Sequence, residues 1–253
     1  MGLTGEQIIE INDAYSDVLR ELKRLILKAL PFGRSLENEN AHAFEYFTYG
    51  LLRRTYLIIR CIENFVEISP PANPAYLQDE RRKDLELFLQ SFLLNIEGGL
   101  DNLALVWFFK RNIDKIENIS EFRKHVGLFA PRFQKYLDES VKVKCIEFKQ
   151  WHRHLKDMRD PVAHRVPIYI PPYTVVSKDF EQHNSLEQQL ISEPWKEKQL
   201  TIQEELDKLS DYEPVYMHSF IEQSPLVRFH PQNVADTRAF CVLVELVIDC
   251  LKT

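Results

Sequence analysis

The chain has 253 residues, of which 45% are hydrophobic and 28% charged, so it can form the core of one large soluble domain. Only 7 glycines are present, which argues against glycine-rich phosphate loops and against all-β folds with many tight turns. The formal net charge of -6 counts against a general nucleic-acid binder, because such proteins are usually basic overall.

Charge is distributed unevenly in the second half of the chain. Residues 142 to 165 contain seven Lys or Arg, three acidic residues and three histidines. Residues 179 to 214 contain ten acidic residues and three lysines. A basic segment therefore lies directly before an acidic one, and a local cationic surface is compatible with the negative total.

Apolar residues recur at three- and four-residue steps through most of the chain, which predicts long helices. The predicted helices cover residues 5 to 30, 40 to 65, 77 to 109, 145 to 159 and 233 to 251. We expect Pro31 to end the first of them. Alternating, proline-spaced stretches at 166 to 172, 215 to 220 and 226 to 230 predict short strands.

These elements predict a mainly α fold, an antiparallel bundle of four to five long helices with a small β-containing insertion before the last helix. We expect residues 1–165 to form the bundle and residues 166–230 the strand-bearing insertion. Residues 231–253 are expected to form a final helix that packs back on the bundle.

The sequence carries no sign of export, membrane insertion or metal binding. The four cysteines lie in apolar helical runs without a C-x-x-C pair, the N-terminus lacks a signal-peptide pattern, and no apolar run reaches about 18 residues. His152 and His154 point about 200° apart on a helix, which disfavours joint metal ligation. We therefore expect a cytoplasmic protein with no cofactor and no membrane partner.

The sharpest chemical signal is the pair Arg159 and His164, with Asp160 directly after the arginine. On a continuous helix these two positions point about 140° apart. Asp160 followed by Pro161 predicts that the helix ends near Arg159 and that a new turn begins at Pro161, which would let both side chains face one pocket. A guanidinium that holds phosphate charge beside an imidazole that moves a proton suits phosphodiester chemistry.

Further polar residues are candidates for contacts with a substrate. The cationic ones lie on or just after the predicted helix at 145 to 159, and they are Lys149, Arg153, Lys156 and Arg165. Asp101 and Asn102 interrupt an apolar helical run and need polar partners, either in the pocket of Arg159 or in a packed neighbour. The preceding Gly98-Gly99 pair predicts close approach of another helix, and room for a ligand is the alternative.

The pattern Arg-x4-His at a helix junction late in a helical bundle resembles the HEPN superfamily, a nucleotide-binding helical domain of higher eukaryotes and prokaryotes. Arg159, Asp160 and His164 match its R-x(4-6)-H motif, and the run at 98 to 104 is similar to the preceding helix of several bacterial members. The resemblance covers about residues 40 to 165 and the last helix. The strand-bearing segment from 166 to 230 lies outside it.

The resemblance implies a metal-independent endoribonuclease of a toxin-antitoxin or phage-defence system, working as a homodimer whose two motifs meet in one cleft. His164 would then transfer a proton, Arg159 would stabilise the transition state, and Asp160 would orient one of them. Some family members are non-catalytic binding or interaction modules. A purely structural interpretation also stays open, in which Arg159 pairs with Asp157 or Asp160 and His164 bonds to a backbone carbonyl.

Overall fold

The computed structural model describes residues 3–72, 77–175, 177–219, 221–222 and 224–252, without the side chains at positions 119, 164, 177 and 211. Helices dominate these residues, as the sequence predicted. The α-helices are α1 (Gly5–Glu39), α2 (Ala41–Glu45), α3 (Arg53–Ile68), α4 (Asp79–Lys110), α5 (Ile119–Phe122), α6 (Pro131–Gln134), α7 (Glu139–Glu147), α8 (Lys149–His164), α9 (Phe180–Ser192), α10 (Lys196–Leu209) and α11 (Phe229–Lys252). A π-helical segment at Tyr46–Leu52 joins α2 to α3, and short 3-10 turns cover Ile113–Lys115, Arg123–His125 and Ser177–Asp179.

Short strands occupy the segment before the last helix, which confirms the predicted fold class. Strand β1 (Thr174–Val175) pairs antiparallel with β2 (Ser210–Asp211), and β3 (Val215–Tyr216) pairs antiparallel with β4 (Val227–Arg228). Among the described residues, the stretch predicted as a strand at 166 to 172 forms a single bridge, between Tyr169 and Met217.

Helix α4 is the centre of the bundle and contacts α2, α3, α8 and α11. It is buried on almost every face, from Leu85 and Leu89 near its start to Trp107 and Phe108 near its end. Such a helix exposes little backbone to water, and any charged side chain on it needs a partner within the protein.

The final helix packs on α1 and α4, and Gly99 in α4 makes its close approach possible. A Cβ atom added at Gly99 would lie 2.7 Å from the ring of Phe240 in α11, and one at Gly98 would lie 2.6 Å from the guanidinium carbon of Arg54 in α3. The fully buried Phe240 ring leaves no room for a side chain at Gly99, whereas the flexible end of Arg54 can move aside at Gly98. Gly99 thus serves the close helix approach that the sequence predicted.

The insertion is attached to the bundle through polar side chains of α4. Arg82 donates to the carbonyl of Ile170 at 3.1 Å, Gln90 donates to the carbonyl of Ile168 at 3.0 Å, and the backbone N–H of Ile170 donates to Glu86 at 2.8 Å. The side chains of Ile168 and Ile170 are buried against the bundle. These contacts fix the ribbon that follows α8.

The two helix ends that the sequence predicted at prolines are wrong. Helix α1 passes through Pro31 to Glu39, because Phe32, Gly33 and Leu36 after the proline are all buried and their packing outweighs the lost hydrogen bond. Helix α8 passes through Pro161 to His164 and closes with a bond from the N–H of Arg165 to the carbonyl of Pro161 at 2.9 Å. Asp160 therefore lies inside a helix and does not cap a new one.

Helix α4 is long enough and apolar enough to cross a membrane, with a mean hydropathy of 1.2 in its most apolar 18-residue window. However, 72% of that window is buried inside the protein. The central helix of a packed soluble bundle has the same two properties.

Candidate functional site

A cleft of about 1060 Å³ lies between α4, α8 and the connection from residue 123 to residue 134. Cationic side chains line it on several sides, and they are Arg123, Lys124, Arg132, Lys149, Arg153, Lys156 and Arg159. The acidic side chains on its walls are Glu97, Asp101, Asp157 and Asp160. This excess of positive charge is local, since the whole chain has a formal net charge of -6.

One face of α8 supplies much of this charge. Lys149, Arg153 and Lys156 are exposed, and the side chain of Arg159 is partly buried at 23% exposure. Spacings of three and four residues place them along one side of the helix, which α4 flanks. The basic segment seen in the sequence thus forms one wall of the cleft.

Glu97 and His152 meet at the bottom of the cleft. Nε2 of His152 lies 3.2 Å from Oε1 of Glu97, within hydrogen-bond geometry, and 3.1 Å from Oε2. The ring of Phe129 stacks on the imidazole with 3.9 Å between centroids and 7° between planes. Glu97 is only 4% exposed, so its carboxylate depends on this pairing for stability. Glu97 thus holds the imidazole at Nε2, and Phe129 holds it on one face.

Asp101 lies one helical turn after Glu97, on the same side of α4. Its carboxylate reaches water in the cleft, yet the protein surrounds it closely. Partial burial and the nearby charge of Glu97 raise the pKa of Asp101 to about 6, although Arg159, His152 and Lys156 act to lower it. This carboxyl group can therefore hold a proton near neutral pH.

Arg159 and Asp160 both line the cleft, and they form a hydrogen-bonded ion pair of 3.0 Å with each other. That pair matches one element of the structural interpretation of the motif. The side chain of His164 lies outside the described residues. Because α8 is continuous, positions 159 and 164 point about 140° apart around its axis, and the predicted reorientation at Pro161 does not occur.

His152 and Arg159, by contrast, are seven residues apart on the continuous helix. Their directions differ by only about 20°, and about 10 Å of helix axis separates them. Both line the cleft. His152 therefore shares the face of α8 on which Arg159 lies.

The other predicted site residues lie elsewhere. Asn102 donates to the carbonyl of Gly98 at 2.6 Å and packs against Gly50. Its amide group therefore finds its hydrogen-bond partner within α4, and Asn102 does not line the cleft. Arg165 lines a smaller cavity of about 360 Å³ beyond the end of the cleft, together with His154 and His218. Asp157 and Asp160 border both cavities.

Helix α8 is anchored next to His152 by a buried contact with α11. Nε1 of Trp151 donates to Oδ1 of Asp236 at 2.9 Å, and Gln232 donates to the same oxygen at 2.8 Å. Burial raises the pKa of Asp236 to about 6, while these two hydrogen bonds act to lower it. The contacts of Trp151 and His152 together fix α8 to both α11 and α4.

The connection from residue 123 to residue 134, opposite α8, contains an arginine whose guanidinium is oriented by a histidine. Nη1 of Arg132 lies 2.8 Å from Nε2 of His125, and both residues line the cleft. Partial loss of water and the charges of Arg132 and Lys124 lower the pKa of His125. The imidazole is therefore neutral and accepts from Arg132, which orients the guanidinium toward the cleft wall.

Sequence reasoning identified the cationic face of α8 and Asp101 but did not identify Glu97, His152 or Phe129 as site residues. Glu97 carried one usable signal, because it is a charged residue inside a helix that is apolar on all faces. His152 and Phe129 meet only through the tertiary fold. Among the residues that the structure describes, no group of three or more His, Cys, Asp or Glu side chains is placed to hold a metal ion.

The fold and the cleft together define a helical protein with a cationic cleft built around a carboxylate–imidazole pair. Comparison of the chain with protein families, with curated protein sequences and with solved structures finds no match.

Proposed function

We propose that the protein binds single-stranded RNA in the cationic cleft and cleaves it without a metal ion. The observation that carries the proposal is the convergence of seven Lys or Arg side chains, Arg159 among them, around the Glu97–His152 pair in an otherwise acidic protein. Phosphates are the natural partners of such a surface. A volume of about 1060 Å³ gives room for a few nucleotides of one strand.

The reaction needs no group beyond the RNA and the side chains. The 2′-hydroxyl oxygen forms a bond to phosphorus, the bond from phosphorus to the 5′ oxygen breaks, and one proton moves from the first oxygen to the second through acid–base groups. The products are a 2′,3′-cyclic phosphate and a 5′-hydroxyl. Arg159 would stabilise the negative charge on the phosphoryl oxygens. The resemblance to the HEPN superfamily assigns a proton transfer to His164 and an orienting role to Asp160.

The same resemblance leads us to propose a cytoplasmic homodimer with a role in a toxin-antitoxin or defence system and an antitoxin as protein partner. The cytoplasm is consistent with Cys61, Cys145 and Cys241, which are buried free thiols. Apolar side chains exposed on the segment after α2 and on α3, namely Tyr49, Tyr56 and Leu57, offer a surface for a second copy.

The test is incubation of the purified protein with 5′-labelled single-stranded RNAs of mixed sequence in EDTA, followed by analysis of the product ends. We expect fragments that end in a 2′,3′-cyclic phosphate, and we expect Arg159→Lys to cleave at least about 100-fold more slowly because lysine lacks the planar fork that fits a phosphate. RNA that is bound but never cut would reduce the protein to a non-catalytic binding module. RNA that is neither bound nor cut would refute the proposal.

A further inference from the structure

The proposed reaction needs a base for the 2′-hydroxyl and an acid for the leaving 5′ oxygen, and His152 and Asp101 both line the cleft. This inference rests on the proposed function. We infer that His152 is the base and Asp101 the acid, so that one protomer contains a complete proton-transfer pair. Glu97 and Phe129 act through His152 as positioning residues.

The contacts of His152 fix which nitrogen is available. Nε2 faces Glu97 at 3.2 Å, so in the neutral ring it carries the proton and donates it to the carboxylate. No hydrogen bond within the described part of the chain engages Nδ1, which keeps its lone pair. A carboxylate that fixes the tautomer and later stabilises the imidazolium is the arrangement that makes a histidine an effective base.

The surroundings of Glu97 point to a functional pair. Oε2 of Glu97 is buried and receives no hydrogen bond with acceptable geometry from the described residues, although Nε2 of His152 lies 3.1 Å away. A purely structural carboxylate would normally have both oxygens satisfied. Stacking by Phe129 removes water from one face of the imidazole and holds the ring plane fixed. Burial therefore restricts His152 to a single orientation at the bottom of a cationic cleft.

Asp101 is suited to the second role because it reaches water in the cleft and lies beside Lys156 and Arg159, which would hold the phosphate. In its protonated form it can give its proton to the 5′ oxygen as the bond to phosphorus breaks. Its pKa of about 6 keeps a usable fraction of the acid form near neutral pH. The proton taken by His152 and the proton given by Asp101 balance, and solvent restores both groups after release.

This assignment differs from the one that the family resemblance implies. In the resemblance, the histidine at position 164 carries the chemistry and two motifs meet across a dimer. Here the pair comes from α4 and α8 of one chain, and Arg159 lies on the same helix face as His152. The two assignments make different forecasts for substitutions at positions 152 and 164.

The experiment measures single-turnover cleavage of a labelled single-stranded RNA at saturating protein, from pH 5 to pH 9, with the dissociation constant and a melting curve for each variant. His152→Gln keeps an N–H that can reach Glu97, so the fold should survive. The matched control is His154→Gln, the same substitution two residues away on a side chain that does not line the cleft. His164→Gln tests the competing assignment.

We expect His152→Gln to lower the cleavage rate by about 10² to 10⁴ with little change in the dissociation constant, and His154→Gln to cleave like the wild type. Asp101→Asn and Glu97→Gln should bind RNA more tightly, because each removes a negative charge from the cleft, and yet should cleave more slowly. For Asp101→Asn the decline of rate above about pH 6 should also disappear. A merely structural role would not separate binding from rate in this way.

Wild-type protein that cleaves RNA, with His152→Gln equally active and His164→Gln inactive, would overturn the inference and leave the proposed function standing. Cleavage by Asp101→Asn with an unchanged pH profile would remove Asp101 from the acid role. Wild-type protein that binds RNA but never cuts it would defeat the proposed cleavage itself, and the inference with it.

Discussion

Nε2 of His152 lies 3.2 Å from Oε1 of Glu97, although 55 residues separate the two in the chain. The contact joins α8 to the central helix α4 and gives a hydrogen-bond donor to a carboxylate that is only 4% exposed. A charged group at such a depth is stable only with a partner. The pair therefore links α4 and α8 at the bottom of the cleft.

The first prediction concerns the stability that this pair provides. His152→Ala should lower the free energy of unfolding by about 1 to 3 kcal/mol, because the buried carboxylate loses its donor. Combining it with Glu97→Gln should cost less than the sum of the two single changes, since the partners share one interaction. Urea unfolding of the four proteins measures this coupling, with Lys156→Ala as an exposed control on the same helix. Strict additivity would mean that the two side chains do not interact.

The second prediction concerns the glycines of α4. Gly99→Ala places a methyl group 2.7 Å from the fully buried ring of Phe240, and we expect a loss of about 1 to 2 kcal/mol, or about 2 to 8 °C in Tm. Gly98→Ala is the matched control, because its methyl group meets only the movable end of Arg54. It should leave Tm unchanged or slightly higher. Equal effects at both positions would contradict the packing described for α11.

The sequence predicts features that depend on residues close together in the chain, and it does not predict contacts between residues that are far apart in the chain. Local periodicity located the long helices and the cationic face of α8, because apolar spacing within one helix determines which face is buried. The proline rules failed at Pro31 and Pro161, where packing of the residues around the proline outweighs one missing hydrogen bond. The partners of His152 come from segments 23 and 55 residues earlier, and no local pattern encodes such a meeting.

The third prediction uses the buried Asp236 beneath Trp151. Its pKa is raised to about 6 in the folded protein, whereas an unfolded aspartate titrates near its ordinary value of 3.8. The folded state therefore binds the proton more tightly, and stability falls as pH rises from about 4 to about 6, by up to about 3 kcal/mol. Asp236→Asn removes this titration. Urea unfolding from pH 4 to pH 7 should show the wild type losing stability relative to the variant over this interval, and a constant difference would argue against a raised pKa.

The fourth prediction concerns assembly. We expect a homodimer in sedimentation velocity at micromolar concentration, formed through the exposed Tyr49, Tyr56 and Leu57. Leu57→Glu should shift the protein toward the monomer, while Leu27→Glu, at a more exposed leucine on α1, should not. If one protomer holds the complete acid–base pair, the Leu57→Glu monomer should still cleave RNA. A wild type that sediments only as a monomer would contradict the proposed dimer.

The central claim is that the cationic cleft binds single-stranded RNA, and fluorescence anisotropy of a labelled RNA in a salt series tests it most directly. With at least three phosphate contacts, the logarithm of the binding constant should fall against the logarithm of salt concentration with a slope of about -2 or steeper. Lys149→Glu combined with Arg153→Glu should weaken binding about tenfold or more and flatten the slope by about 1.4. Lys196→Glu combined with Lys198→Glu makes the same change in net charge on exposed residues of α10 and should leave binding nearly unchanged. Equal weakening by both pairs, or no binding by the wild type at low salt, would contradict the account.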